Sequence, residues 1–179
     1  MERNDKTGFC VPYTIHATPD KGLGVFADAP ILKGTILWRH VRGLYAVYDE
    51  RSLKEFVAQL SRKEVVYELT HMFGLPEFPG CIIRIFDDGV LINHSRQPTT
   101  AMNNSPGDNQ IPYSTSPQNV RDVADALLDD RFALIAIQDL NVGDELTMDY
   151  TISVEDPLYY DALCERYDVS EPYLENGLE

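Results

Sequence analysis

Cysteine is scarce and scattered: Cys10, Cys81 and Cys164 are the three in 179 residues. An odd, widely separated set builds neither a disulfide framework nor the paired spacing of a zinc site. A reducing, cytoplasmic compartment (the nucleus as an alternative in a eukaryote) and no bound metal are therefore expected. The histidines His16, His40, His71 and His94 show no metal-ligand spacing either. No apolar run approaches the roughly 18 residues needed to cross a bilayer, and Met1-Glu2-Arg3-Asn4-Asp5-Lys6 adjoins no apolar signal core, so no membrane partner is expected. Positive charge is short as well: 15 Lys and Arg against 29 Asp and Glu leave a net charge of -14. Proteins that grip nucleic acid do so with basic patches that release counterions from phosphates. Direct nucleic-acid binding is thus not expected, and a basic partner is.

What remains is an ordinary globular composition, 44% hydrophobic and 25% charged, long enough for a single domain over residues 1–179 with one core. The acid is uneven. Residues 155–179 carry Glu155, Asp156, Asp161, Glu165, Asp168, Glu171, Glu175 and Glu179 against Arg166 alone, a balance of -7 and half of the total. Such a run serves as a solvated tail or as an acidic wall that draws in a lysine-rich peptide, an attraction that salt weakens.

Periodicity predicts a mainly β chain with small helices. Gly24 to Ala27 and Thr35 to Val41 read as strands around a turn marked by Pro30 and Lys33-Gly34. Between about 51 and 74 the period becomes helical. Ser52-Leu53-Lys54-Glu55 and Ser61-Arg62-Lys63-Glu64 match capping boxes, Leu53, Phe56, Val57 and Leu60 share a face, and Gly74 is a stop. Cys81 to Phe86 reads as a strand, and Asp88-Gly89 as a hairpin turn returning through Val90 to Ile92 and delivering Asn93-His94-Ser95. Residues 96–118 read as a long loop. Val123 to Leu128 reads as a helical turn, Phe132 to Ile137 and Leu146 to Tyr150 as strands, and Tyr159 to Tyr167 as a closing helix. One pattern occurs twice, 109 residues apart: Ala27-x-x-x-Ile31-x-x-Gly34-x-x-Leu37 and Ala136-x-x-x-Leu140-x-x-Gly143-x-x-Leu146. It predicts two similar hairpin-like units.

Three segments carry chemistry. Gly22-Leu23-Gly24 removes two side chains, so the backbone can approach a ligand or take positive φ; with Ala27 in strand context and no helix following, it is not a dinucleotide fingerprint. Asn93 offers an amide donor and acceptor beside His94. Tyr150, at the end of Gly143-Asp144-Glu145-Leu146-Thr147-Met148-Asp149-Tyr150, supplies a phenol. A serine hydrolase built on Ser95 and His94 is disfavoured, because no Gly-x-Ser-x-Gly elbow is present and neighbouring strand side chains face opposite ways.

In this order the segments resemble the SET-domain family over about residues 12–151. The resemblance implies a β-clip fold of several small curled sheets with a knot-like C-terminal crossing, in which the helical stretch at about 51–74 is an insert. It further implies transfer of a methyl group from S-adenosylmethionine to a lysine amine in a protein, by a protein-lysine N-methyltransferase. By the same resemblance Gly22, Leu23, Gly24, Asn93 and His94 hold the cofactor and Tyr150 stands at the transfer point. Phe86 and Tyr150 line the lysine channel, and an aromatic of the closing segment 152–179, among Tyr159, Tyr160 and Tyr167, covers the adenine. The chain departs from the family pattern at Arg96-Gln97-Pro98-Thr99, and with Cys164 as the one cysteine after Cys81 it cannot form the zinc-binding tail of one large branch. The alternative expectation is a SET-like module without catalysis that holds a basic protein partner.

Overall fold

The computed structural model describes residues 7–103 and 119–169. Four small sheets carry the chain. β1 (Tyr13–Thr18) and β2 (Gly22–Ala27) form an antiparallel hairpin. β3 (Ile36–Trp38), β8 (Thr100–Met102) and β9 (Leu134–Ala136) form a second sheet with β9 central. β4 (Tyr45–Tyr48), β5 (Met72–Phe73) and β6 (Ile82–Ile85) form a third with β6 central. The fourth is the parallel pair β7 (Asn93–His94) and β10 (Thr147–Met148). Five short helices complete the described residues: α1 (Glu50–Val57), α2 (Arg62–Thr70), α3 (Val120–Ala126), α4 (Tyr150–Ser153) and α5 (Leu158–Tyr167). The expected β-rich class with small curled sheets is the fold found.

The repeated pattern has a tighter meaning than two hairpins. The units pair with each other: Ile31 and Leu140 exchange both backbone hydrogen bonds, at 2.9 and 2.8 Å, Gly34 N–H donates to Ala136 O and Gly143 N–H to Ala27 O, each at 2.8 Å. Both glycines take positive φ, +82° and +90°, which side chains resist. Ala27, Ile31, Leu37, Ala136, Leu140 and Leu146 are buried in one core cluster, so each repeat buries the apolar stripe of the other.

Two further cores flank this one. Leu53, Val57, Val65 and Leu69 of α1 and α2 pack with Tyr160, Leu163 and Cys164 of α5. Val47 and Ile83 pack with Val123, Ala126 and Leu127 of α3 and with Phe78 and Phe132. The capping box of α2 is the expected one, Ser61 with Glu64. That of α1 is not. Asp49 accepts from Ser52 N–H at 2.8 Å and Ser52 Oγ accepts from Asp49 N–H at 3.0 Å, so the helix starts at Glu50 and Ser52 is its third residue rather than its cap.

Other local signals resolve differently from expectation. Asp88-Gly89 opens a 3-10 turn, Asp88–Leu91, because Asp87 accepts Gly89 N–H at 3.1 Å; β6 pairs with β4 and β5 instead of returning on itself. Gly74 does not end α2, which stops at Thr70. Gly74 lies where the C-terminal segment crosses, its N–H bonded to Asp156 Oδ1 at 2.6 Å, with no room for a Cβ, which would sit 2.2 Å from Glu155 O. The stretch 96–118 contains β8; residues 104–118 lie outside the described residues, as do Met1 to Lys6 and the part of the acidic segment from 170 to 179.

Asn93 and His94 reach β10 by a crossover of some fifty residues, a connection that parallel strands require. Ser95 N–H donates to Met148 O at 3.0 Å, while Thr100 Oγ1 on the other side donates to Thr147 O at 2.8 Å and Thr147 N–H to Thr99 Oγ1 at 2.9 Å. β10 is thus threaded between β7 and the segment at Thr99 and Thr100. This crossing positions the site.

Candidate functional site

β2 enters the site from a tight turn. Lys21 N–H donates to Thr18 Oγ1, which donates to Gly22 O, each at 3.1 Å, and Gly22 takes φ of +77°. Two residues on, a Cβ at Gly24 would lie 2.6 Å from Glu145 Oε1 and 2.9 Å from Asn93 Nδ2, so glycine is what lets both side chains close on the strand. Asn93 Nδ2 donates to Leu23 O at 3.1 Å and to Glu145 Oε1 at 2.8 Å. Lys21 Nζ donates to His94 O at 3.0 Å. Gly22, Leu23, Gly24, Asn93 and His94 are therefore brought together.

Tyr150 joins them from the first turn of α4, not from a strand: Asp149 caps that turn by accepting Thr151 N–H at 2.9 Å. The backbone N–H of Tyr150 donates to His94 Nδ1 at 3.2 Å, and Asp149 Oδ1 lies 3.9 Å from the same nitrogen. The phenol donates to Ile92 O, one residue before Asn93. Burial pushes its pKa up to about 12, so it stays neutral throughout ordinary pH.

Beside Tyr150 lies a cavity of about 120 Å³ whose wall is mostly apolar, with Phe73, Ile92, Met102, Leu134, Met148 and Val154 among its residues. His40 also lines it. Its ring is 4% exposed, stands edge-on to Trp38 and Tyr45, and has neither nitrogen in hydrogen-bond geometry, the Phe132 carbonyl being the polar group it faces. Burial lowers its pKa from 6.5 to about 4. Between those values the unfolded chain holds a proton that the folded chain does not. Stability is accordingly full above pH 6.5, falls as pH falls through the window and levels off below about 4. The linked loss is about 3 kcal/mol, and His40→Leu is expected to remove it. Urea unfolding of both proteins at pH 7.5 and 4.5 measures the difference, and an equal pH dependence in the two would assign the loss elsewhere.

The other expected site residues lie apart. Phe86 is 46% exposed under the Arg84 guanidinium, 4.7 Å from its ring centroid, and is not part of the cavity wall. Tyr160 is 3% exposed inside the core of the helical insert, its one hydroxyl proton shared between Leu69 O and Met72 O, so it packs α5 onto α2 instead of covering a ligand. Tyr159 packs on the same core with its hydroxyl on Gly80 O at 3.1 Å; burial, then the charge of neighbouring groups, raises its pKa. Tyr167 packs there too. Among the described residues no group of three His, Cys, Asp or Glu could hold a metal ion, and no helix is long and apolar enough to cross a membrane. The Ile92 carbonyl enters the site without a sequence signal of its own, because it acts through backbone; Glu145 lies within the Gly143 to Tyr150 segment, but its partner Asn93 is 52 residues away and spacing does not pair them.

The SET domain sequence profile matches residues 22–151. No curated protein matches the sequence. Among solved structures the fold resembles that of the Neurospora SET domain protein DIM-5, a histone lysine methyltransferase, at 20% identity over 83% of this chain and 55% of that one, with a TM-score of 0.51. It is also similar to the methyltransferase domain of the human histone-lysine N-methyltransferase SETMAR, at 19% identity over 79% of this chain and 45% of that one, with a TM-score of 0.49. The chain spans about half the length of these two structures, and at such identities the likeness is one of fold.

Proposed function

Because the chain belongs to the SET-domain family, we propose that it is a protein-lysine N-methyltransferase using S-adenosylmethionine, with a basic protein segment as substrate. One observation carries the reading: Tyr150 joins the Asn93-His94 strand, through the Ile92 carbonyl and His94 Nδ1, to an apolar cavity that it also lines.

The residues fit the methyl donor. Gly22 and Leu23 are exposed, Leu23 at 51%, Gly24 is buried under Glu145 and Asn93, and Asn93, Lys21 and Glu145 supply an amide and both charges for an amino-acid end. When bound, S-adenosylmethionine would supply a sulfonium methyl group open to attack by an uncharged amine, the N–C bond forming as the S–C bond breaks and S-adenosylhomocysteine leaves as a neutral thioether.

The chain's own residues deal with the amine. A free lysine has a pKa near 10.4 and is charged at neutral pH. Phe73, Ile92, Met148 and Val154 give the cavity an apolar wall, which disfavours the ammonium and favours the neutral amine. Tyr150 is no base, since its pKa of about 12 keeps the proton on the phenol. Its contribution is to hold the amine in line, and alignment of this kind supplies a large share of a rate enhancement. The acidic residues Glu155, Asp161, Glu165 and Asp168, toward the C-terminal end, suit a lysine-rich partner.

Gly24→Ala tests the reading. The added methyl group displaces Glu145 or Asn93, so S-adenosylhomocysteine is expected to bind at least about tenfold more weakly, measured by calorimetric titration beside the wild type. Wild-type binding that survives Gly24→Ala unchanged would put the cofactor elsewhere, and no wild-type binding would leave a SET-like module that only holds its partner.

A further inference from the structure

Resting on that reading, we propose that His71 is the proton acceptor of the site: its Nε2 takes the proton that the substrate ammonium must lose before the amine can be methylated, and hands it to solvent.

The cavity wall offers that proton few places to go. Among the described residues it holds no carboxylate, and its titratable side chains are Tyr150, His40 and His71. Tyr150 keeps its own proton up to about pH 12 and is no base. His40 is buried at both ring nitrogens, neither in hydrogen-bond geometry, and a pKa lowered to about 4 makes it a poor acceptor. His71 is the group that remains.

His71 is the single residue between α2 and β5, and its N–H donates to Glu68 O at 3.0 Å as the helix ends. On the ring, Nδ1 lies 2.6 Å from Tyr67 O. A carbonyl oxygen only accepts, so Nδ1 carries the hydrogen and the neutral ring keeps its lone pair at Nε2. Among the described residues nothing donates to that nitrogen, and no carboxylate forms an ion pair with the ring. The residue is half-buried, so it both lines the cavity and meets water.

The same surroundings suit the ring once it is charged. Tyr67 O belongs to the last turn of α2, the end of a helix that favours a cation. The Tyr67 ring stands 4.4 Å from the imidazole, tilted by 36°, and an aromatic face favours a cation too. The carboxylates on the neighbouring segments are engaged, Glu68 with Arg84 at 2.5 Å and Asp156 with Gly74 N–H at 2.6 Å.

In the step itself one N–H bond of the ammonium breaks and its electron pair stays on the amine nitrogen, while the Nε2 lone pair forms the new N–H bond. The imidazolium then releases that proton to water. Because the proton has left before the methyl group moves, the wild-type rate still follows the ionisation of the amine.

Initial rates of label transfer from methyl-labelled S-adenosylmethionine to a mixture of lysine-rich basic proteins test this in the wild type, His71→Ala and His71→Asn, with S-adenosylhomocysteine affinity measured beside them. Asparagine at 71 can still donate to Tyr67 O but takes no proton. Both variants are expected to label lysine about tenfold more slowly at wild-type affinity, short of the roughly 100-fold or more that a base can contribute, because water reaches the half-buried site. Imidazole in the buffer is expected to restore most of the rate of His71→Ala. Nitrogen NMR of the four histidines, with His71 assigned by its loss from His71→Asn, is expected to show its neutral ring protonated at Nδ1 and bare at Nε2. A wild-type rate in His71→Asn, no rescue of His71→Ala by imidazole, or a neutral ring protonated at Nε2 would each overturn the proposal while the methyl-donor reading stands. A folded wild type that labels no lysine would overturn that reading and this proposal together.

Discussion

Tyr150→Phe is expected to slow methyl transfer about 100-fold while S-adenosylhomocysteine binds within about threefold of the wild type. The substitution deletes one oxygen and leaves the ring, its volume and its place beside His94 at a centroid distance of 5.6 Å. What disappears is the hydroxyl of a cavity-lining residue, with its hydrogen bond to Ile92 O. The cofactor-side contacts of Asn93 and Lys21 do not pass through the phenol, so binding and turnover should separate. The loss belongs in kcat, because an interaction that aligns reacting atoms matters most in the transition state. The pH dependence carries a second sign. With Tyr150 neutral up to about pH 12, the rate should rise toward alkaline pH with the substrate amine alone, in the wild type and the variant alike. Single-turnover measurements across pH, with binding measured separately, would decide it, and wild-type turnover by Tyr150→Phe would remove the residue from the mechanism.

Asp87→Ala should cost the fold about 3–5 kcal/mol, the range for uncovering several buried donors around a lost charge. The Asp87 side chain is a buried hub. Its two oxygens accept Trp38 Nε1–H at 3.2 and 3.0 Å, Gly8 N–H at 2.5 Å, Gly89 N–H at 3.1 Å and Thr7 Oγ1 at 3.3 Å. No cation pairs with it among the described residues, so hydrogen bonds alone hold the carboxylate. The arrangement is close. A Cβ at either Gly8 or Gly89 would lie 2.6 Å from Trp38 Nε1, so the indole is gripped between two glycine backbones and capped by the carboxylate. Asp87→Asn isolates the chemistry from the lost volume, since its amide must turn a donor toward other donors. The effect reaches the site, because the turn Asp88–Leu91 hands the chain to Ile92 and Asn93. Trp38 is the chain's single tryptophan, so its fluorescence follows urea unfolding at the point of change. A loss under about 1 kcal/mol in both variants would mean that the hub is dispensable.

Much of this was legible in residue order. Gly22 to Gly24, Asn93-His94 and Tyr150 stand in segments that say little singly; their order and its resemblance to the SET-domain family mark them, and the structure gathers them at the β7–β10 crossing. The repeat of Ala27 to Leu37 in Ala136 to Leu146 was visible too, but not that the two copies pair with each other, since spacing within a unit cannot tell an internal partner from an external one. Asp88-Gly89 shows the limit of a turn signal: the dipeptide suits a hairpin, yet Asp87 spends its carboxylate on Gly89 and on Trp38, 49 residues away, and the turn becomes 3-10. Gly74 follows a helical period, where a glycine usually stops a helix, yet its small size serves a crossing with Glu155 and Asp156. Tyr160 is a candidate only through the family resemblance, which implies an aromatic from the closing segment without saying which; the α2 surface buries it.

The central claim is chemical. Incubation of the purified chain with S-adenosylmethionine labelled in its methyl group and a mixture of lysine-rich basic proteins, followed by acid hydrolysis and separation of the amino acids, tests it most directly. The account predicts label in methylated lysine, appearing about 100-fold more slowly with Tyr150→Phe. Label in another amino acid, or none from a wild type that binds S-adenosylhomocysteine, would contradict it.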